Sequence, residues 1–180
     1  MTQVRRLILG ALGAVLVTGA ASQACAQNSS QQTTSSSTTI FQPIALAKNT
    51  DLSFGTVVRP STGTGTVVIA AATGARTLTG AGALLATGPN AVASRATYTV
   101  SGEGGQSYAI TVPASFSMTR STGGQTILVT LASTATTGIL SGSLGAAGTG
   151  TFGVGGSIPL ADTTVSGAYT GTFNVVVAYN

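Results

Sequence analysis

Residues 166 to 180 read Ser-Gly-Ala-Tyr-Thr-Gly-Thr-Phe-Asn-Val-Val-Val-Ala-Tyr-Asn, and much of the fold can be worked out from this segment. From Tyr169 onward, every second residue except Gly171 is large and apolar. Alternation with a period of two is the pattern of a β-strand that turns one face towards a core. The segment therefore predicts a long strand at the carboxyl end of the domain. Such a strand is either paired on both sides or has an edge open to a strand from elsewhere.

Shorter runs with a similar alternation recur through the rest of the chain. Gly, Pro and Asn residues separate them at intervals of about 8–12 residues, the spacing of a β-sandwich or β-barrel. These runs cover residues 40–46, 52–58, 66–72, 76–78, 96–100, 108–112, 116–118, 127–131 and 149–160. The sequence therefore predicts an all-β sandwich of roughly 8–10 strands.

Two of these runs suggest a local pairing. Residues 96–100 and 108–112 both alternate, and Gly102-Glu103-Gly104-Gly105 stands between them. Strands that flank a short glycine-rich turn commonly form a hairpin. We therefore expect these two strands to pair with each other.

The first 26 residues have the layout of a secretory signal. Arg5 and Arg6 precede an apolar run of eleven residues, 7–17, and Ala24-Cys25-Ala26 has the A-x-A form of a cleavage site. Eleven apolar residues are too few to span a bilayer, and no later stretch of the sequence qualifies. We therefore expect export into the periplasm, and then to the cell surface or the extracellular space, without a transmembrane segment after cleavage.

Composition divides the remaining chain into two parts. Residues 27–39 contain only Ser, Thr, Gln and one Asn, which is typical of a flexible leader. Residues 40–180 hold every strand-like run and are predicted to form one β-sandwich domain. The single cysteine, Cys25, is removed with the signal, so the mature chain forms no disulfide and depends on packing.

The charged residues are few and scattered. After removal of the signal, five basic residues stand against three acidic ones, which gives a net charge of +2. A nucleic-acid-binding surface needs a stripe or patch of Lys and Arg, and none is present. We therefore expect no nucleic acid partner.

The residues that most hydrolases and metal sites use are also missing. The sequence contains no histidine, so a Ser-His-Asp triad, a Cys-His pair and zinc sites built on His or Cys are excluded. The only possible pair of catalytic acids would come from Asp51, Glu103 and Asp162. Each of these lies beside a turn, and we interpret all three as ordinary solvated carboxylates. The sequence therefore predicts no catalytic residue, no metal site and no cofactor.

The two ends of the domain resemble known bacterial surface proteins. The C-terminal segment resembles the signature of chaperone–usher fimbrial subunits, with a penultimate aromatic residue, Tyr179, and a glycine, Gly167, fourteenth from the end. The alternating residues Phe173, Val175 and Val177 complete that signature. The segments Gln42-Pro43-Ile44 and Leu52-Ser53-Phe54-Gly55 look like a broader group of secreted bacterial proteins. That group is known as a domain of unknown function and is similar in pattern to spore-coat-U-type archaic pilins.

This resemblance implies an incomplete immunoglobulin-like sandwich that lacks its last strand. A donor strand, first from a periplasmic chaperone and then from the next subunit, would fill the gap by β-augmentation. The residues implied as the acceptor are Gly167, Phe173, Val175, Val177 and Tyr179. The implied donor is the segment 38–47, with Ile40, Ile44 and Leu46 as its apolar side chains. Like subunits or related pilins, a chaperone and an outer-membrane usher are the implied partners, and head-to-tail exchange would produce a filament.

Two alternatives remain open at this point. Residues 40–46 could instead complete their own sandwich, which would leave a self-contained secreted or surface module, such as an adhesin or a polysaccharide-binding protein. Its contacts would then be exposed Tyr98 or Tyr108 with Arg95, although we favour both tyrosines as half-buried strand residues. An enzyme is the remaining alternative, and it depends on the three carboxylates.

Overall fold

The computed structural model describes residues 29–80, 84–85 and 92–180. These residues form an all-β, sandwich-like fold built from antiparallel pairs, with no helix among them. The predicted signal, residues 1–26, and the first two residues of the leader lie outside the described residues. Residues 39–180 form one compact unit, and residues 29–38 are exposed and contain no strand.

Thirteen strands are described, three of them only two residues long. They are β1 Ala45–Thr50, β2 Val57–Val58, β3 Thr64–Ile69, β4 Arg76–Gly80, β5 Leu84–Leu85, β6 Ala96–Glu103, β7 Ser107–Thr111, β8 Ser115–Arg120, β9 Thr126–Ser133, β10 Thr137–Ile139, β11 Ala147–Ala161, β12 Tyr169–Thr170 and β13 Val176–Tyr179.

The large sheet is organised around β11, which is 15 residues long. Val154 of β11 pairs with Ala96 of β6 and with Ser133 of β9, so these two strands lie on opposite edges. Further along, Ser157 pairs with β3 on one edge and still with β9 on the other. Strands β6 and β3 therefore follow each other along the same edge of β11. Strand β1 lies outside β6, β4 lies outside β3, and β8 and β12 extend the sheet beyond β9.

A second sheet has three strands in the order β10-β7-β13. The long terminal strand that the alternation predicts is consequently divided between two sheets. Tyr169 and Thr170 pair with β8 of the large sheet, whereas Val176–Tyr179 pair with β7. Residues 171–175 cross between them and belong to no strand. At Gly171 a Cβ would lie 2.7 Å from the carbonyl oxygen of Ser117, so the glycine permits the close approach at this crossing.

Two apolar clusters form the interior. The first lies between β6, β7 and the first half of β11, and the second between β3, β9 and the second half of β11. The first cluster contains Ala96, Tyr98, Val100, Tyr108, Ile110, Leu140, Phe152 and Val154. The second contains Phe54, Val67, Ile69, Ile127, Val129, Ile158 and Leu160. Burial of these side chains is the main source of stability in a chain without a disulfide.

The predicted hairpin is wrong. Strands β6 and β7 lie in different sheets and do not pair, although Tyr98 of β6 and Tyr108 of β7 meet in the first cluster. The turn between them packs closely against residues 141–146. A Cβ on Gly104 would lie only 2.8–2.9 Å from the carbonyl oxygens of Ser141, Ser143 and Ala146. The two strands therefore face each other across the interior. Alternation predicted which faces are buried but not which edges pair.

Candidate functional site

An open cleft of about 810 Å³ lies beside the terminal segment. Residues 52–59 form one wall, and residues 164–169 form the other. Side chains of the second apolar cluster, Ile127, Ile158 and Leu160, line it together with Met118. None of the strands that the structure describes covers the sheet at this position.

A smaller cleft of about 280 Å³ continues the first one. It lies between residues 48–54 and residues 169–173, and it shares Leu52, Phe54, Met118 and Tyr169 with the larger cleft. The two clefts are therefore parts of one groove between residues 48–59 and 164–173, which we call the terminal groove.

The first wall is not the strand that the sequence predicts. Of residues 52–58, Ser53 forms an isolated bridge with Ser94, and only Val57 and Val58 form a short strand, β2. Gly55 has a φ of 65°, which a continuous strand cannot contain. The guanidinium of Arg76 also donates to the carbonyl oxygens of Phe54 and Thr56, at 2.9 and 3.0 Å. The prediction of a full strand here is wrong, because a left-handed glycine and an arginine hold the segment in an irregular path.

The second wall depends on Gly167 and Arg120. The Arg120 Nε donates to the carbonyl oxygen of Ser166 at 2.8 Å. Gly167 has a φ of 153°, and a Cβ on it would collide with the same Arg120 side chain. Gly167 therefore lets the arginine lie against the main chain, and it lines the terminal groove.

The two walls are also joined directly. Arg59 Nη1 donates to the carbonyl oxygen of Thr164 at 2.7 Å, and the two residues are 105 positions apart in the sequence. This hydrogen bond connects the walls at the end of the groove that Val58 and Val165 line.

The predicted acceptor residues share one face but lie in different surroundings. Gly167 and Phe173 line the terminal groove, and the Phe173 ring lies 5.1 Å from that of Phe116. Val175, Val177 and Tyr179 continue the same face and pack against the first apolar cluster. None of the side chains of Phe173, Val175, Val177 and Tyr179 is fully buried. The terminal segment thus has an apolar face that the domain covers only in part.

The predicted donor residues are mostly engaged within their own domain. Leu46 lies in β1 opposite Val100 of β6, and Ile44 packs against the first apolar cluster just before β1. Ile40 is 83% exposed and precedes the strand. The structure therefore does not bring the three side chains together on one free segment.

Sequence reasoning missed a hydrogen-bonded cluster at the end of β13. Glu103, interpreted above as a solvated carboxylate, is only 2% exposed, so that interpretation is wrong. Its Oε2 accepts from the main-chain N–H of Gln42 at 3.1 Å, and its Oε1 accepts from that of Gly145. The hydroxyl of Tyr179 donates to the carbonyl oxygen of Gln42 at 2.8 Å. No sequence signal distinguishes Glu103 from a surface residue, because its partners are main-chain groups of distant segments.

The carboxylates of Asp51 and Asp162 each have a different partner. Asp51 pairs with Lys48 at 2.5 Å, which raises the pKa of the lysine, chiefly through the hydrogen bond. Asp162 accepts from the main-chain N–H of Gly63 at 3.1 Å. Within the described ranges, no three His, Cys, Asp or Glu residues group as metal ligands would, and no helix could cross a membrane.

The side chains suggested for a surface-binding module are not exposed. Tyr98 and Tyr108 are 7% and 2% exposed, and burial raises the pKa of both. Arg95 donates to the carbonyl oxygens of Ala71 and Ala72. The suggestion that these three residues form an exposed binding surface is therefore wrong.

Comparisons with known proteins give one match. A family model described as a domain of unknown function, DUF4402, matches residues 44–179. No curated protein and no solved structure matches the chain.

Proposed function

The chain belongs to the DUF4402 family, and from that premise we propose that it is a non-enzymatic structural subunit of a cell-surface fibre. The subunit is exported, and neighbouring subunits assemble by donor-strand complementation. One observation carries the proposal: the terminal groove runs along residues 171–173, which belong to a segment, residues 171–175, that alternates like a strand but joins no sheet.

An added strand fits this groove for two physical reasons. Leu52, Met118 and Tyr169 line the groove and are only partly buried, so packing against large apolar side chains of a partner would remove more of their surface from water. Burial would also require partners for the main-chain N–H and C=O groups of residues 171–175, and a neighbouring strand supplies them in a regular ladder. A strand with apolar residues at alternate positions meets both requirements.

The groove also indicates the charge of its occupant. Lys48 and Asp51 at its edge are paired with each other, and Arg59 is hydrogen-bonded to the opposite wall. Because these charged groups already have partners, an uncharged donor strand would leave no charge in the groove unpaired. Residues 29–41, which lie ahead of β1, include no charged residue and end with Ile40 and Phe41. We therefore propose this segment, from a like subunit or a related pilin, as the donor.

This donor lies further towards the amino terminus than the segment 38–47 that the sequence resemblance implies. Leu46 and Ile44 would have to leave their own domain to enter a neighbour, whereas Ile40 is free to do so. A chaperone would protect the groove before assembly, and an usher would export the subunits. Because each subunit would donate at one site and accept at another, the contact would not close, and it would extend as a filament.

The surroundings of the three carboxylates support a role without catalysis. Each carboxylate is already hydrogen-bonded or ion-paired to a different part of the domain. A pair of catalytic acids would need to share one cleft. Apart from Lys48, Asp51 and Arg59, the residues that line the groove are uncharged, which suits a partner strand better than a reaction.

The experiment that tests the proposal is a denaturing gel of protein taken from the cell surface, loaded both unheated and heated. We expect a ladder of oligomers that collapses to the monomer only after boiling, because exchanged strands dissociate slowly. A monomer in both lanes would contradict the proposal. The pairing of Leu46 with its own β6 would then favour a self-contained module.

A further inference from the structure

The cluster at the end of β13 joins the leader side of the domain to its last strand. Tyr179 and Gln42 are 137 positions apart, yet the tyrosine hydroxyl donates to the Gln42 carbonyl oxygen at 2.8 Å. The same hydroxyl accepts from the main-chain N–H of Glu103 at 2.6 Å. The N–H of Gln42 in turn donates to the Glu103 carboxylate. These hydrogen bonds form a closed ring that holds both main-chain groups of Gln42.

Two further features fit this ring. The Phe41 ring packs edge-on against the Tyr179 ring, with 5.8 Å between the ring centres. Gly102 provides the space for the hydroxyl, since a Cβ there would overlap the Tyr179 Oη. The carboxylate of Glu103 is held from its other side by Gly145. A buried carboxylate with two N–H donors is a rigid acceptor, so the leader is fixed to the domain at one defined point.

We propose that Phe41 and Gln42 form a releasable latch, held by Tyr179 and Glu103, that must open before the donor segment, residues 29–41, enters a neighbouring subunit. The statement that the latch must open before donation rests on the proposed function. While the latch is closed, Phe41 lies on its own Tyr179 and only Ile40 is free to enter a neighbour. Opening it frees Phe41 as a second apolar side chain for the donor segment.

The latch also connects accepting a strand with donating one. Tyr179 is both the anchor of the leader and part of the half-covered apolar face of the terminal strand. A donor strand that enters the terminal groove, continues along this face beyond Phe173 and displaces Tyr179 breaks the ring and frees the donor segment of the same subunit. Acceptance at one site then promotes donation at the other, which sets an order for assembly.

The test is limited proteolysis of the full mature chain with chymotrypsin, which cleaves after Phe41 only when the following residues can extend into the protease. Tyr179→Phe removes the hydroxyl and both of its hydrogen bonds but keeps the ring. We expect cleavage at this bond, followed by mass spectrometry, to be about tenfold faster than in wild type, as the loss of the single hydrogen bond from the hydroxyl to Gln42 predicts.

Ser133→Ala is the matched control. It removes a hydroxyl that donates to the Ala135 carbonyl oxygen at 2.7 Å, away from both the latch and the terminal groove, and should leave the cleavage rate unchanged. Gly102→Ala should also speed cleavage after Phe41, because the added Cβ displaces the Tyr179 hydroxyl while every latch residue remains. The unfolding temperature of each variant shows whether faster cleavage comes from the latch or from the whole domain.

The rate at which heat-labile oligomers form is the second measurement. Faster cleavage together with faster oligomer formation supports the latch and its coupling to assembly. Equal cleavage rates in Tyr179→Phe and wild type would overturn the latch. Faster cleavage with an unchanged rate of oligomer formation would overturn the coupling. If no variant forms oligomers, the proposed function fails, and the cleavage rates alone decide whether the latch exists.

Discussion

The four arginines of the described domain all bind main-chain carbonyl oxygens. Arg59 and Arg120 donate to the wall that contains Thr164 and Ser166, and Arg76 donates to the wall that contains Phe54. Arg95 holds the turn after β3. A guanidinium offers several donors in a fixed plane and can hold an irregular segment that no ladder supports. Three of these four side chains, those of Arg59, Arg76 and Arg120, therefore shape the groove.

Gly167 gives a direct test of this arrangement. Gly167→Ala would place a Cβ against Arg120 at a φ of 153°, so both strain and collision oppose it. We expect the free energy of unfolding to fall by about 2–4 kcal/mol, measured by urea denaturation. Gly124→Ala is the control, because Gly124 has a φ of 75° with no atom near the added Cβ, and it should cost only about 1 kcal/mol. Equal losses would show that Arg120 does not require a glycine.

The two buried tyrosines predict a loss of stability in alkali. Burial raises the pKa of Tyr98 and Tyr108, so the folded chain keeps these protons to a higher pH than the unfolded chain does. The free energy of unfolding is therefore unaffected by them below about pH 10, the ordinary pKa of tyrosine. Above that value it falls as the pH rises towards the folded pKa, because the unfolded chain has released protons that the folded chain still holds.

Urea denaturation between about pH 8 and pH 11 measures this loss. The double variant Tyr98→Phe/Tyr108→Phe should lose less stability over the range than its parent. Lys48 titrates nearby, since its pKa is raised by Asp51, so both proteins should carry Lys48→Met. Parallel curves for the two proteins would contradict the prediction.

At the scale of elements, β13 offers two neighbouring valines with opposite surroundings. Val177 packs against the first apolar cluster, whereas Val176 is 57% exposed on the other face. Val177→Asp should prevent oligomer formation and lower the free energy of unfolding by about 2–3 kcal/mol, because it places a charge against the core. Val176→Asp introduces the same charge into the same strand and should assemble as wild type does. Assembly by both variants would exclude the terminal strand as the acceptor.

The elements also show how far alternation can be used for prediction. The inward face of the terminal segment and the burial along β6 and β7 follow from period two, and both were predicted. The pairing of β6 with β1 and β11 was not predicted, because the alternation within one strand does not indicate which other strands will pair with its edges. The break in the terminal strand was missed as well, because it depends on contacts of Gly171 with a distant strand.

At the scale of the whole molecule, composition and turn spacing were sufficient to predict an all-β sandwich. They were not sufficient to locate the groove walls, which arginines and left-handed glycines hold in irregular paths. Glu103 illustrates the same limit. Its burial arises where the leader, β6 and the loop before β11 meet, and three segments so far apart in sequence leave no local signal.

The pairing of β1 with β6 has a mechanical consequence. The chain from Gln42 to Thr50 runs beside β6 from Glu103 back to Thr97. Tension applied along β1 would load this ladder in shear, so its hydrogen bonds would resist together instead of opening one at a time. The register shift between Lys48 and Thr50 would hinder sliding. A fibre built from such subunits would transmit a pull along its axis with little stretching of each domain.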